Sequence, residues 1–337
     1  MTGGSGFLGN LIAKRLLESG EDVKILDLWK SNDINNDVEF IKCDIRDESK
    51  LFYSMKDVDI VHHNVAQVPL TKAGSDFWDI NVRGSKIAAQ QALKSGVQGF
   101  IHMSSSALYG DVKKMPISDI TPTCPIEIYG RSKLAGEQTV KKIFKDANTP
   151  LITIRPRCIL GEGRLGIFQI LFDWIKESKN IYVIGNGNNK LQFIHANDLI
   201  DAYMIGYRNG KSETYNVGTN KFGTLKESIE SLISYAGSKS KLKRLPTYLS
   251  ISTLKILDHL NLCPLAPWHY LTYHKDFYYD TSKLINLGWK PKYSNEDMIF
   301  ESYNSFMKKN ENELYDHQSP HRKPVNEKIL KIIKWLS

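Results

Sequence analysis

MTGGSGFLGN (residues 1–10) decides how this chain is read. Gly3, Gly6 and Gly9 give the spacing G-x-x-G-x-x-G, and the segment from Phe7 to Ser19 carries Leu8, Leu11, Ile12 and Leu16 on one helical face. Glycines allow a tight turn and let a phosphate approach the backbone. A helix N-terminus just behind them offers free N–H groups and a partial positive charge. Such a loop normally follows a buried strand, and only Met1 and Thr2 precede Gly3. The spacing alone does not separate a dinucleotide loop from a run of turn residues, so the residues further on must decide.

They alternate. VKILD (23–27), VEFIKCD (38–44), VDIVHHNVA (58–66), GFIHMSS (99–105) and LITIRP (151–156) read as buried strands, with helical stretches at Phe77 to Lys94 and Tyr129 to Asp146. Strands alternating with helices imply right-handed βαβ units and a parallel sheet covered on both faces. The expected fold is α/β, a Rossmann-type doubly wound parallel sheet over 1–156. After Pro156 the pattern loosens into helices near 167–177 and 224–236 and a strand at 181–185. Residues 157–308 read as mainly a smaller substrate-binding region, with some segments returning to the sheet, and 309–337 as a polar linker and a basic amphipathic helix.

The bulk numbers narrow the class. A chain of 337 residues with 41% hydrophobic and 24% charged residues builds an ordinary soluble core, and a net charge of +8 favours anionic partners. Cys43, Cys124, Cys158 and Cys263 show no CxxC pairing, which argues against a disulfide framework or zinc site. No metal-ligand spacing is seen among the histidines, and His62-His63, in an apolar run, reads as structural. The first residues lack the basic-then-apolar order of a secretory signal, and no apolar run of about 18 residues occurs, so a cytoplasmic location is expected. No aromatic-basic interleaving on a recognisable module suggests nucleic acid.

Two further features carry chemistry. VKILD ends in Asp27, near the offset of about 20 residues at which an acid hydrogen-bonds the adenine ribose; a carboxylate there favours NAD over NADP. Asp44, in CDIRD, could reach the adenine edge. In YGRSK, Tyr129 and Lys133 lie four apart and project from one helical face. A tyrosine with a pKa near 10 is a poor base at pH 7, and a neighbouring ammonium lowers that pKa.

The order of these pieces, with the serine-rich MSSSALYG before YGRSK, resembles the extended short-chain dehydrogenase/reductase superfamily, the NAD-dependent epimerase/dehydratase family. INVRGS (80–85), IRPRCILGEG (154–163), FIHANDLIDA (193–202) and KDFYYDTSKLINLGWKP (275–291) are similar to segments of that family, and the resemblance spans about residues 2 to 305. It implies NAD as cofactor, with Ser105 holding the substrate oxygen, Tyr129 as acid/base and Lys133 binding the nicotinamide ribose and tuning Tyr129. It further implies that Gly3, Gly6, Phe7, Leu8 and Gly9 hold the cofactor, with Asp27, Asp44 and Ile45 towards adenosine. Ala66, Asn81 and Pro156 fall on cofactor-side positions, and Gln67, Ser106, Arg157 and Lys190 on the substrate side.

Departures from the family pattern narrow the reaction. The Asp-Glu pair of the 4,6-dehydratases is replaced by Ser106 and Ala107, which removes the general acid/base couple of an elimination. No cysteine follows Ser105, against 3,5-epimerisation of the GDP-fucose synthase type. Leu191 stands where nucleotide-sugar epimerases often carry a diphosphate-gripping arginine, opening the 3β-hydroxysteroid/sterol dehydrogenase branch. The expected function is oxidation or epimerisation of a hydroxyl on a nucleotide-diphosphate sugar, the alternative a sterol-type dehydrogenase, and a third reading an idle NAD-binding scaffold. LSISTLKILDHLNLCPLAPWHYL (249–271) suits a packed helix of the substrate region, or else a greasy substrate or membrane surface. In the tail, Ile329, Ile332, Ile333 and Leu336 keep helical spacing beside Lys328, Lys331 and Lys334. That pattern suits peripheral membrane contact through 323–337, docking on the chain's own body, or a homodimer. A central strand is also expected: the family commonly reads V-T-G-G here, so about five to eight apolar residues are expected before Met1.

Overall fold

The computed structural model describes residues 1–308 except 35–37, 70–73, 163, 165–166, 261–262, 264 and 266. Strands β1 (Lys24–Asp27) and β2 (Glu39–Lys42) pair in parallel. So do β3 (Ile60–His63), β4 (Gly99–Met103), β5 (Leu151–Pro156) and β9 (Glu213–Val217), in that order. Between β1 and β3 run the first residues of the chain. Leu26 N donates to Met1 O at 2.8 Å and Gly3 N to Leu26 O at 2.9 Å; Thr2 N donates to His62 O and Asn64 N to Thr2 O, both at 3.0 Å. Met1 to Gly3 thus link the two groups of strands and set the glycine loop at their carboxyl ends. The Met1 amino group donates to Lys24 O at 2.6 Å, and burial pushes it down to about 5.

Neighbouring residues on each strand face opposite layers, so both faces of the sheet need apolar cover. Ile25, Ile101 and Ile152 pack with Ile12 and Leu16 of α1 (Phe7–Glu18) and with Leu199 and Tyr203 of α7 (Ala196–Asn209). Leu26, Phe100 and Leu151 pack the other way, against Leu51 of α2 (Glu48–Ser54), Ala88 and Ala92 of α4 (Ser85–Lys94), and Val140 of α5 (Ile128–Phe144). His62 and His63 are buried and structural, as their apolar run suggests: His62 Nδ1 lies 2.6 Å from Tyr203 Oη, and His63 lies 2.8 Å from Thr2 Oγ1 and 2.9 Å from Ser85 Oγ.

The helix expected over Phe77 to Lys94 is interrupted. It runs as α3 (Asp76–Trp78), a π-helical stretch (Asp79–Gly84) and α4. Such bulges sit at functional positions, and this one turns Asn81 inward. A Cβ on Gly136 of α5 would meet Asn81 O at 2.2 Å, so only glycine lets the two helices approach this closely.

The second half packs around Phe172 of α6 (Phe168–Lys176), Phe193 of β8 (Phe193–His195) and Leu232 of α8 (Leu225–Tyr235). Phe277 and Met298 of α12 (Asn295–Lys308) complete this core. Strand β6 (Cys158–Leu160) pairs with β8, and β7 (Ile181–Ile184) with β10 (Leu242–Leu245). Strand β9 extends the sheet beyond β5, and Trp289, following α11 (Ser282–Asn286), packs beneath α7 with Nε1 donating to Asp198 O at 3.0 Å.

Residues 249–271 divide. Helix α9 (Thr247–His259) has no buried residue and leaves Tyr248, Leu249, Ile256 and Leu260 exposed, which corrects the expectation of a packed helix. The helix adjoins β7 and α10 (Pro267–Thr272). Beyond it, Trp268 and His269 of α10 turn into the central cleft. No helix among the described residues is long and apolar enough to cross a membrane. The amphipathic tail at 323–337 lies outside the described residues.

Candidate active site

The glycine loop closes on itself. Gly6 N donates to Gly3 O at 3.3 Å, and a Cβ on Gly9 would meet that same oxygen at 2.1 Å; Gly3 has φ +73° and room for no side chain, since a Cβ would meet Val65 N at 2.8 Å. The loop is held from below by Asp27, whose Oδ2 accepts from Ser5 N at 2.9 Å and whose Oδ1 accepts from Leu28 N at 2.7 Å. Burial pushes the Asp27 carboxyl up, and these two donors act against the rise. Ser5 Oγ is buried without a partner. A cradle of backbone with one orphaned hydroxyl, at a helix N-terminus, fits the pyrophosphate of a dinucleotide.

Asp44 is committed elsewhere: its carboxylate takes Arg46 Nε at 2.9 Å and a terminal nitrogen at 2.6 Å, and Arg46 also reaches Asp79 at 2.6 Å. Ile45 is buried in the core packed against α4. Asn81 acts on the loop after β3. Its Oδ1 accepts from Gln67 N at 2.8 Å, and its Nδ2 donates to Gln67 O at 3.1 Å and Ser132 Oγ at 2.9 Å. Asn81 and the Gln67 backbone therefore shape the wall on which Ala66 sits, while Ala66 itself lines the cleft.

That cleft, about 200 Å³, brings together Leu8, Ala66, Ser104, Ser105, Ser106, Tyr129, Lys133, Pro156 and Arg157. Helix α5 places Tyr129 in its first turn because Glu127 caps it, accepting from Tyr129 N at 2.7 Å and Gly130 N at 2.6 Å. Ser105 caps the 3-10 turn Ser106–Leu108, with Ala107 N donating to Ser105 Oγ at 3.2 Å. Burial and, less strongly, the Glu127 carboxylate push the Tyr129 phenol up; the Ser105 side chain and, last, the Arg164 cation act downward on it. Lys133 donates to Met103 O at 2.7 Å, and burial brings its ammonium down to about 8.

Behind these groups lies a buried ion pair. Arg155 Nε donates to Glu137 Oε2 at 2.9 Å and a terminal nitrogen to Oε1 at 2.5 Å; Ser104 Oγ donates to the same carboxylate at 2.6 Å. Ser104 is thereby fixed as a supporting group, which leaves Ser105 and Ser106 towards the cleft. Lys190 is exposed, with Nζ 5.9 Å from the Tyr278 ring, and does not line the cleft. Leu191 is 1% exposed and belongs to the core. Glu127 and Arg164 are additions from the structure. An acid just before a helix is a capping signal, but nothing in the spacing points Arg164 at Tyr129.

A doubly wound parallel sheet with a glycine loop opening its first helix defines a dinucleotide-dependent enzyme. Residues 1–218 match the model of the NAD dependent epimerase/dehydratase family, and the chain belongs to that family, with NAD as its cofactor. An uncharacterised protein of Sinorhizobium fredii is 37% identical over 336 residues, 99% of this chain and 85% of that protein. A putative UDP-glucose 4-epimerase of Methanocaldococcus jannaschii is 28% identical over 307 residues, covering 87% of this chain and 92% of that protein. The solved UDP-glucose 4-epimerase of Thermotoga maritima shares the fold with a TM-score of 0.75 over 91% of this chain and 97% of that one, at 21% identity. When bound, NAD supplies the acceptor and donor of hydride; the loop and Asp27 fit it.

Proposed function

We propose that the chain oxidises a ring hydroxyl of a nucleotide-diphosphate sugar and returns the carbonyl to the alcohol, acting as an epimerase. The carrying observation is that Tyr129, Ser105 and Lys133 line one cleft with Leu8 of the dinucleotide loop's helix. Ser105 orients the substrate oxygen, and Tyr129 takes the hydroxyl proton and gives it back, helped by the cation of Arg164. Lys133, anchored on Met103 O, holds the cofactor side of the cleft. Ser106 and Ala107, both buried, offer no acid/base couple for an elimination. A second reading, net oxidation of a sterol-like alcohol, draws on the apolar wall of Ile159, Leu160, Phe168 and Trp268.

Turnover with a panel of UDP-sugars and sterols tests the assignment. An epimerase gives product without net NADH, a sterol-type dehydrogenase accumulates NADH, and an idle scaffold does neither. Tyr129→Phe is expected to cut turnover by about 10²–10⁴-fold while sparing NAD binding; turnover surviving in that variant refutes the mechanism.

The exposed face of α9 and the basic tail support a further element of the proposal, a cytoplasmic protein that touches an acidic membrane surface. A second copy of the chain is the competing occupant of that face.

A further inference from the structure

Arg155 and Arg157 flank Pro156 and are both buried, at 4% and 2% exposure, but they are treated differently. Arg155 is paired with Glu137. Arg157 donates only Nε, to Gln192 O at 3.0 Å, and stacks its guanidinium 4.1 Å from the Phe277 ring centre. One of its terminal nitrogens is buried and has no hydrogen-bond partner. Buried charges are paired or else strongly penalised, and no carboxylate is among the groups acting on Arg157, which are Tyr279, Cys158 and Tyr273.

The surroundings repeat the asymmetry. Three cations, Lys133, Arg157 and Arg164, line the cleft, and no Asp or Glu does among the described residues. Lys133 is engaged by Met103 O and Arg164 bears on Tyr129. Arg157 presents a terminal nitrogen without a partner on the half of the cleft lined by Tyr273 and Trp268, with Phe277 packed against its guanidinium.

We propose that Arg157 is the anion-recognising residue of the substrate half of the cleft, and that the true substrate carries a carboxylate or phosphoryl oxygen that docks on its free nitrogen. A planar guanidinium held by a backbone carbonyl at Nε and by an aromatic face keeps a terminal N–H aimed in a fixed direction. That geometry recognises an oxyanion by direction as well as by charge. It also gives the chain a grip on anionic substrate that Leu191 cannot provide. The inference rests on the cleft being the site of hydroxyl oxidation.

The test compares the NAD-saturated protein with its Arg157→Met and Arg157→Lys variants in titrations with UDP, UDP-glucose and UDP-glucuronic acid, and separately with sodium pyrophosphate and sodium glucuronate. If the anion is the diphosphate, all three nucleotides and pyrophosphate lose at least tenfold in affinity in Arg157→Met. If it is a ring carboxylate, UDP-glucuronic acid and glucuronate alone lose it, and Arg157→Lys recovers part. Thermal melting separates recognition from a structural role. Arg157→Met is expected to melt at or above the parent temperature without anion, and the anion is expected to raise the melting temperature of the parent only. Failure of every nucleotide to bind the parent overturns the nucleotide-sugar reading; pyrophosphate or glucuronate binding that depends on Arg157 still upholds the anion site. Equal affinities of parent and Arg157→Met for all five probes, or a lower melting temperature of the variant with no anion effect on the parent, overturn it.

Discussion

Lys133 follows Tyr129 by one helical turn, yet its ammonium donates to the Met103 carbonyl at 2.7 Å, and the cation acting on the Tyr129 phenol is Arg164. Burial raises the phenol, and a positive charge beside it favours the phenolate and lowers it. Removing that charge therefore moves the ionisation upward. Arg164→Met is expected to shift the acidic limb of the kcat/KM profile, set by deprotonation of Tyr129, about one unit to higher pH. A Lys133→Met variant, by contrast, is expected to raise the Kd for NAD. An unshifted profile in Arg164→Met removes that residue from the acid/base chemistry.

The Arg155–Glu137 pair makes a stability prediction. Burial works upward on Glu137, but Arg155 and Lys141 overcome it and hold the carboxyl at about 2, against 4.5 for the free group. A depressed carboxylate stabilises the fold above its unfolded value, and that contribution is lost as pH falls from 4.5 towards 2. Glu137→Gln is expected to cost about 3–5 kcal/mol in urea unfolding at pH 7, because it leaves Arg155 buried and unpaired. The histidines work in a higher window. Burial holds His62 and His63 at about 3, below the ordinary 6.5, so the unfolded chain takes up protons first. Stability is expected to fall as pH drops from 6.5 towards 3, by up to about 1.4 kcal/mol per pH unit for each ring. His62→Phe is expected to flatten that slope; equal slopes in the two proteins count against the assignment.

How much of this was legible in the sequence follows from what each feature depends on. Strand and helix order could be read because both faces of a covered parallel sheet demand continuous apolar runs, as in GFIHM, where every residue is buried. Gly3, Gly9, Asp27, Tyr129 and Ser105 could be read because their spacing is set by one turn or one strand length. The commitment of Asp44 to Arg46, the redirection of Lys133 to Met103 O and the placing of Lys190 outside the cleft depend on side-chain partners that spacing does not encode. Arg164 and Arg157 meet Tyr129 and Phe277 only through tertiary packing. The exposure of α9 escaped for the same reason: an apolar helix reads as buried until its neighbours are known.

Gly9 makes the cofactor prediction. A Cβ there would lie 2.1 Å from Gly3 O, a backbone atom in a loop already held by Asp27. Gly9→Ala must push the loop off the helix N-terminus, which removes the N–H groups facing the phosphates. NAD affinity, read by fluorescence titration, is expected to drop at least about tenfold, with far-ultraviolet dichroism unchanged. Parent affinity in the variant detaches the loop from NAD binding.

The last prediction concerns the face of α9. Leu249, Ile256 and Leu260 fall at i, i+7 and i+11, a narrow stripe, and Leu249 is 64% and Ile256 62% exposed. Lys241, Lys243, Arg244 and Lys255 are exposed on β10, its approach and α9 itself. Apolar side chains flanked by cations suit an anionic lipid surface, with each cation near it contributing about 1 kcal/mol. Cosedimentation is therefore expected with phosphatidylglycerol vesicles and not with phosphatidylcholine ones. Deleting 323–337 and, separately, the pair Leu249→Ser and Ile256→Ser are each expected to weaken it, with NAD binding retained. If the deletion alone releases the protein, the tail is the anchor and α9 has another occupant. Analytical ultracentrifugation of the serine pair then identifies that occupant: a dimer that dissociates assigns the stripe to a second copy. Equal cosedimentation of all three proteins removes the membrane from this part of the molecule.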